Sequence, residues 1–554
     1  MSETQYKLMM PQAIWEDFDP SKPLEAEEIL VPDGKRYVFT ALDAADGKVR
    51  VQLDAYTVPG SDSAPTVVIV GEYHRPPEKF LVDAIRAAGF NVVVPDYSKV
   101  AQDTKTSFPE SFAYGEYRLA GEHILKVMPS AKETSQYLYS VIVKRAITLV
   151  RRYISDGKLV LAGMGDAVEV AMQVEGSGKV ADALACLNGS GYREYIKHNR
   201  YGGGDELAID EERMCWLTGV ASVAYAKYIS CPVFIAVGSN AHQSDIDRLQ
   251  SLKALMASQS VHISISPRAG DFLLPEAFGS FLIWLHSVAK DTVSELPEIP
   301  ELDIRINEEG IPYFDLDCDP ASMIKKVQIF YAIGEYSHEV RDWLDVKGIS
   351  VSYNEFIAQA EEYDSHAPLF AFGEVEYENG FSLSSTVGFI DLKGQPVKPP
   401  GEDRQAARNV VFDPSAGDDE SGFVEDFDGA VLMKGGIKKV TTPSGLEGLT
   451  SEYGGLRTYR FKPQNADKEK FLKIEFYADA EVTVEVALIT SADGVRKYVA
   501  LRTIDDTRGL FRGAEFGLQD FKEELTHRTP GSWDGVKALT IHGNNIIIGN
   551  ILFI

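Results

Sequence analysis

Five short runs between residues 66 and 265, TVVIV, NVVVP, LVLAG, PVFIAV and VHISI, are almost continuously apolar, and longer amphipathic stretches separate them. A strand that is apolar at every position must be covered on both faces, and only a parallel sheet with helices on each side does that for several strands in succession. The alternation therefore predicts a parallel sheet over the first ~290 residues. Its expected strands are 36–41, 49–56, 66–70, 91–95, 158–162, 183–187, 233–237 and 261–265. The first two read as an antiparallel pair turning at Asp46 and Gly47. Helices are expected over 78–88, 135–153, 168–174, 244–258 and 275–289.

The pattern changes at SELPEIP (294–300), whose prolines punctuate the chain as a linker does. Short alternating strands follow: IPYFDLD, KKVQIFYAIG, PLFAFGEVEYENG and SLSSTVGFIDL. They predict a small β-sandwich over 301–396, after a first domain at 1–293. QPVKPPG (395–401) reads as a second linker. Beyond it an acidic loop and further alternating strands, among them FLKIEFYAD, VTVEVALITSA and IIIGNILFI, predict a second sandwich, a jelly roll, over 402–554. The expected class is thus multidomain: an eight-stranded, mostly parallel α/β domain followed by two all-β sandwiches.

Charge narrows the partners. Lys plus Arg number 55 against 83 Asp plus Glu, a formal net charge of −28, which disfavours nucleic acid and anionic membrane surfaces. No run approaches the length of a membrane span. The first twenty residues carry no basic segment followed by an apolar one, so the expectation is a cytoplasmic protein, or a secreted one if a leader has been removed. Four cysteines without C-x-x-C spacing predict neither a zinc site nor a disulfide framework.

Three segments carry a specific resemblance. KLVLAGMGDAVEVAM (158–172) looks like a strand–elbow–helix unit, CPVFIAVGSNAHQSDIDR (231–248) like a strand and acid-bearing loop, and SISPRAGDFLLPEAF (264–278) like a final strand and histidine loop. Together they resemble the α/β-hydrolase superfamily over about half the chain. The layout is closest to its acetyl-xylan-esterase-like and dienelactone-hydrolase-like members, and the C-terminal parts resemble immunoglobulin-like and carbohydrate-binding-type modules. The resemblance implies a nucleophile, an acid and a histidine. At those positions stand Gly165, Ala241 and Asp271. A glycine has no nucleophile to activate, and a carboxyl with a reference pKa of ~3.9 is a poor proton shuttle near neutrality. Asp166, next to the nucleophile position, would place negative charge where an oxyanion must be stabilised.

The resulting expectation is a catalytically degenerate, esterase-like pseudoenzyme retained for binding or assembly, with a carbohydrate or ester as candidate ligand. Two alternatives stay open. One is an active carbohydrate esterase or serine-type hydrolase with displaced groups: Asp166 as nucleophile, or Ser239 or Ser190 with His242 or His74, with Asp245 as a further candidate. The other is carbohydrate recognition by the last domain. Tyr73, His74, Met164 and Asp166 are expected to line the pocket. No metal is expected in the first domain, since His242, Asp245, Asp271 and Asp166 follow no ligand spacing. No cofactor is expected, apart from a candidate structural Ca²⁺ fed by Asp413, Asp418, Asp419, Glu420, Glu425, Asp426 and Asp428. The loop 188–216 reads as a lid or a dimer contact, so a homo-oligomer is a candidate state. Tyr453, Tyr459, Tyr477 and Trp533 could stack on sugars, although their alternating strands favour the core.

Overall fold

The computed structural model describes residues 5–195, 198–202, 207–290, 296–399, 409–417, 420–463, 467–491 and 494–554. Both expected linkers and Asp418 and Asp419 fall partly or wholly outside these residues. Within them, three sets of sheets follow one another along the chain.

The first set is one nine-stranded sheet: β1 (Glu27–Val31), β2 (Gly34–Ala44), β3 (Gly47–Tyr56), β4 (Thr66–Val70), β5 (Asn91–Pro95), β6 (Leu159–Met164), β7 (Ala183–Leu187), β8 (Val233–Gly238) and β9 (Val261–Ser266). The spatial order is β1-β2-β3-β5-β4-β6-β7-β8-β9. From β5 through β9 all neighbours are parallel, while β1, β2 and β3 pair antiparallel. With β1 set aside, this is the strand order of the α/β-hydrolase fold. The expected eight strands were one too few. β1 was missed because EEILV does not alternate in polarity and four of its five residues are exposed.

Strands β4 to β9 read as apolar runs because both their faces are covered. Val68, Val70, Leu161, Ile235 and Ile263 pack under the helix Ser135–Tyr153 and its neighbours. Val67, Ile69, Val160, Ala162 and Phe234 pack under the helices Lys79–Ala87 and Pro275–Lys290. The helix expected over 244–258 is shorter, Leu249–Leu255, because Asp245 caps a separate turn by accepting the Asp247 N–H at 3.1 Å.

The middle set, between Glu301 and Asp391, has a four-stranded and a five-stranded sheet, with every pairing antiparallel. In KKVQIFYAIG, Val327, Ile329 and Tyr331 face the four-stranded sheet, where Phe314 and Leu316 lie. Phe330 points the other way and joins Trp343, Phe370 and Phe372 in the core of the nine-stranded sheet. The segment is apolar on both faces because it lies between its own partner sheet and the first unit. The last set, from Val410 to Phe553, is a pair of six-stranded antiparallel sheets. They close on one core of Leu472, Ile474, Val484, Val486, Leu539, Ile541 and Trp533. Tyr459, Tyr477 and Trp533 are buried, and Tyr453 is 39% exposed. No helix among the described residues is long and apolar enough to cross a membrane.

Candidate functional site

The carboxyl ends of the parallel strands are where such sheets place their sites. β6 ends at Met164, and the chain turns through Gly165–Ala167 into the helix Val168–Gly176. Gly165 has φ +53°, the left-handed conformation of a strained elbow. A Cβ at Gly163 would lie 2.8 Å from Ala171 Cβ and from Val168 Cα, so only glycine lets the helix dock on the strand. The scaffold of an elbow is intact.

The space above it is filled. A Cβ at Gly165 would stand 2.9 Å from Gln243 Oε1, 2.9 Å from Glu72 Cγ and 3.1 Å from Glu72 Cδ. Glu72 is buried and held bidentately by Arg75, at 2.8 and 3.0 Å. Asp166 Oδ1 accepts the backbone N–H of Tyr73 at 2.9 Å. That N–H follows β4 at the sheet's carboxyl edge, and the chain's own carboxylate occupies it. Desolvation pushes the Asp166 carboxyl up to about 6, against the opposing pull of Arg193 and of the Tyr73 N–H. Asp271 Oδ1 accepts the N–H of Gln243 at 2.9 Å, and desolvation raises this carboxyl too, with the Gln243 N–H and His242 opposing. Backbone N–H groups thus satisfy both aspartates in a carboxylate-rich, filled space.

The other candidates are committed elsewhere. Ala241 is fully buried, and its carbonyl faces His338 Nε2 at 2.9 Å. Asn240 Nδ2 donates to the carbonyls of His338, Glu339 and Arg341, at 3.2, 3.3 and 2.9 Å. His242 Nδ1 lies 2.8 Å from Glu339 Oε2. Asp245 pairs with Arg248 at 2.6 Å. Asp247 meets Arg341 through two bonds of 2.6 Å with both side chains essentially inaccessible, a pairing with no local signature in the sequence. The loop that would present an acid is therefore a clamp onto the middle unit. Ser239 donates to Asn240 Oδ1 at 2.7 Å and accepts the Arg268 N–H, while Ser190 Oγ is buried with no hydrogen-bond partner among the described residues.

The last unit roofs the same edge. Leu273 donates to Ala430 O and accepts from Leu432 N, a short parallel bridge. Asn188 Nδ2 also reaches Ala430 O at 2.8 Å, and Ala430 N reaches Glu78. Phe427 packs edge-on against Phe272, and Asp428 pairs with Arg75 at 3.0 Å. A cleft of about 360 Å³ lies between the three units, with Asp271, His242, Glu339, Asp426, Phe427 and Arg457 on its walls. Of the residues expected to line a pocket, Tyr73 and Met164 are buried in the sheet's cores. His74 stands over Glu72 at 3.4 Å.

Within the acidic loop of the last unit Glu425 turns inward, while Asp428 stays exposed. Asp413 caps a turn at Ser415 and Ala416, Glu425 accepts from Gly436 N and Ser451 Oγ, and Asp426 pairs with Arg457 and His542. Among the described residues no group of three or more His, Cys, Asp or Glu is disposed to hold a metal ion. In the loop 188–216, Tyr201 stacks on Phe389 of the middle unit at 4.2 Å, and Arg200 donates to Asp247 O.

No family model matches the chain, and no curated protein is detectably similar to it in sequence. Solved structures do match part of it. An acetyl xylan esterase from Paenibacillus sp. R4 is 13% identical over 51% of this chain and 97% of its own, with a TM-score of 0.38. Acetyl xylan esterase 1 from Thermoanaerobacterium sp. is 14% identical over 46% and 84%, with a TM-score of 0.35. An acylaminoacyl peptidase from Pyrococcus horikoshii is 13% identical over 51% and 44%, with a TM-score of 0.35. The first unit has an α/β-hydrolase fold on the strength of its own strand order.

Proposed function

We propose that this chain is a catalytically silent α/β-hydrolase whose former centre serves as a structural joint, leaving the assembled three-unit body to act by binding. One observation supports this above the others: the Asp166 carboxylate sits on the Tyr73 N–H, beside an elbow with no nucleophile. Acyl transfer needs that N–H for a developing negative charge, and a resident carboxylate both occupies it and repels the charge. Asp166 is also a poor nucleophile in this setting. Its Oδ1 is held by Tyr73, and among the described residues no histidine is hydrogen-bonded to it, His74 lying instead 3.4 Å from Glu72. The expected result is no turnover of p-nitrophenyl acetate and no labelling by a fluorophosphonate probe. Stoichiometric labelling of any serine would overturn the reading.

A second reading, sugar recognition by the last unit, is favoured by one feature. The half-exposed ring of Tyr453 borders an open groove of about 920 Å³ that also presents Asp479, Asn544 and Asn545. An aromatic face beside carboxylate and amide groups suits a polyol. Titration of xylo-oligosaccharides by calorimetry tests it: binding lost in Tyr453→Ala supports the reading, and no heat with any of them removes it.

A further inference from the structure

The nine-stranded sheet treats its two edges differently. At β9 the middle unit closes it: Ser384, in the strand Ser382–Ser384, accepts the N–H of Ile265 at 2.8 Å. Beyond β1 no strand lies among the described residues. Glu27 to Leu30 are all exposed, Leu30 at 80%. The turn between β1 and β2 has two residues, Pro32 and Asp33, so Val31 and Gly34 form a doubly hydrogen-bonded pair. By the alternation of antiparallel ladders, Val31, Ile29 and Glu27 turn their N–H and C=O groups toward β2. Glu28 and Leu30 turn theirs outward. An open edge of this kind is a template for another strand.

We propose that β1 pairs with β1 of a second copy, antiparallel about a two-fold axis through Ile29, joining two nine-stranded sheets into one. The strand is self-complementary in that arrangement. Glu28 of each copy faces Leu30 of the other, so the four outward-facing backbone groups of each strand meet their partners in four hydrogen bonds, and Ile29 lies against Ile29. Glu27 faces Val31, and no carboxylate opposes another. In-register parallel pairing would instead set Glu27 and Glu28 against their own copies, which costs stability. Charge also matches along the row: Leu30 is flanked by Lys35 on its own sheet, whose ammonium lies 3.2 Å from Glu28 within one copy, and the partner's Glu28 would sit on Leu30's other side. Pairing of like with like closes after two copies, so the edge is used up rather than extended.

Sedimentation of the full chain with hydrogen exchange tests this. The expected species has twice the 61.1 kDa chain mass, and on dilution to monomer the Glu28 and Leu30 amides lose protection while the Ile29 amide, bonded to β2, keeps it. Leu30→Pro removes an N–H that β2 does not use and should weaken the dimer about tenfold to a hundredfold with unchanged circular dichroism. A chain that stays at 61.1 kDa at every accessible concentration overturns the proposal. So does a dimer that survives Leu30→Pro undiminished, or one whose Glu28 and Leu30 amides exchange as fast as in the monomer.

Discussion

Replacing Asp166 by asparagine should stabilise the protein at neutral pH, and by an amount that depends on pH in a defined way. The side chain is half-buried, and its carboxyl is raised from 3.8 to about 6, with desolvation the largest cause. Below the unfolded value the group is protonated in both states and adds no pH dependence. Between 3.8 and about 6 the folded chain holds a proton that the unfolded chain releases, so this group's contribution falls as pH rises. The full cost is present above about 6. Two units correspond to about 3 kcal/mol, and residual contact with solvent lowers the expectation to about 2–3 kcal/mol. Asparagine keeps an oxygen for the Tyr73 N–H and never ionises. Urea unfolding of both proteins should therefore give nearly equal stability at pH 4, with a gap that opens to about 2–3 kcal/mol by pH 7.5. A variant no more stable than the parent at pH 7.5 would show that attraction to Arg193 outweighs desolvation, and the account of Asp166 as an unfavourably placed charge would fail.

Gly165→Ser should destabilise by about 2–4 kcal/mol in urea unfolding, through the left-handed φ and the contacts with Gln243 and Glu72, and should stay unlabelled by fluorophosphonate. Combining it with Asp271→His and Ala241→Asp should still give no esterase activity in a p-nitrophenyl acetate assay. Asp166 continues to hold the Tyr73 N–H, and a carboxylate at the fully buried Ala241 is itself costly. Asp247→Asn leaves the inaccessible Arg341 guanidinium without its counter-charge and should cost about 3–5 kcal/mol, read as a lower urea midpoint. Asn240→Ala removes the side-chain donor to the Glu339 and Arg341 carbonyls, while His338 O keeps the Arg341 N–H, and should cost about 1–3 kcal/mol, with faster proteolysis between the first and middle units.

The parallel sheet was legible because covering both faces of a strand leaves an unmistakable apolar run, as in TVVIV and PVFIAV. The elbow was legible for a different reason: Gly163 and Gly165 answer to close packing and to a positive φ, constraints that act within a few residues. β1 was not legible, since an exposed edge strand has no face to pattern. Nor was the filling of the site. Glu72 and Gln243 meet the elbow, and the 427–432 segment meets Asn188 and Leu273, only through tertiary packing, and nothing local in GEYHRPP or FDGAVL announces it. In the same way Asp247 meets its partner only when Arg341, 94 residues beyond it, is brought to it, whereas Asp245 pairs with Arg248 three residues on.

The bridge between Leu273 and the 430–432 segment sets a timetable for the ribosome. The first unit can complete its sheet once residue 290 has emerged, but its roof is encoded about 140 residues later. At about 5–20 residues per second that is a wait of about 7–30 s. During that interval the strand ends around Asn188 and Leu273 have no partner at Ala430, and Phe272 has none at Phe427. A nascent chain halted near residue 300 would thus present an uncovered acidic and aromatic surface, and the last sandwich closes it only after its own acidic loop has been made.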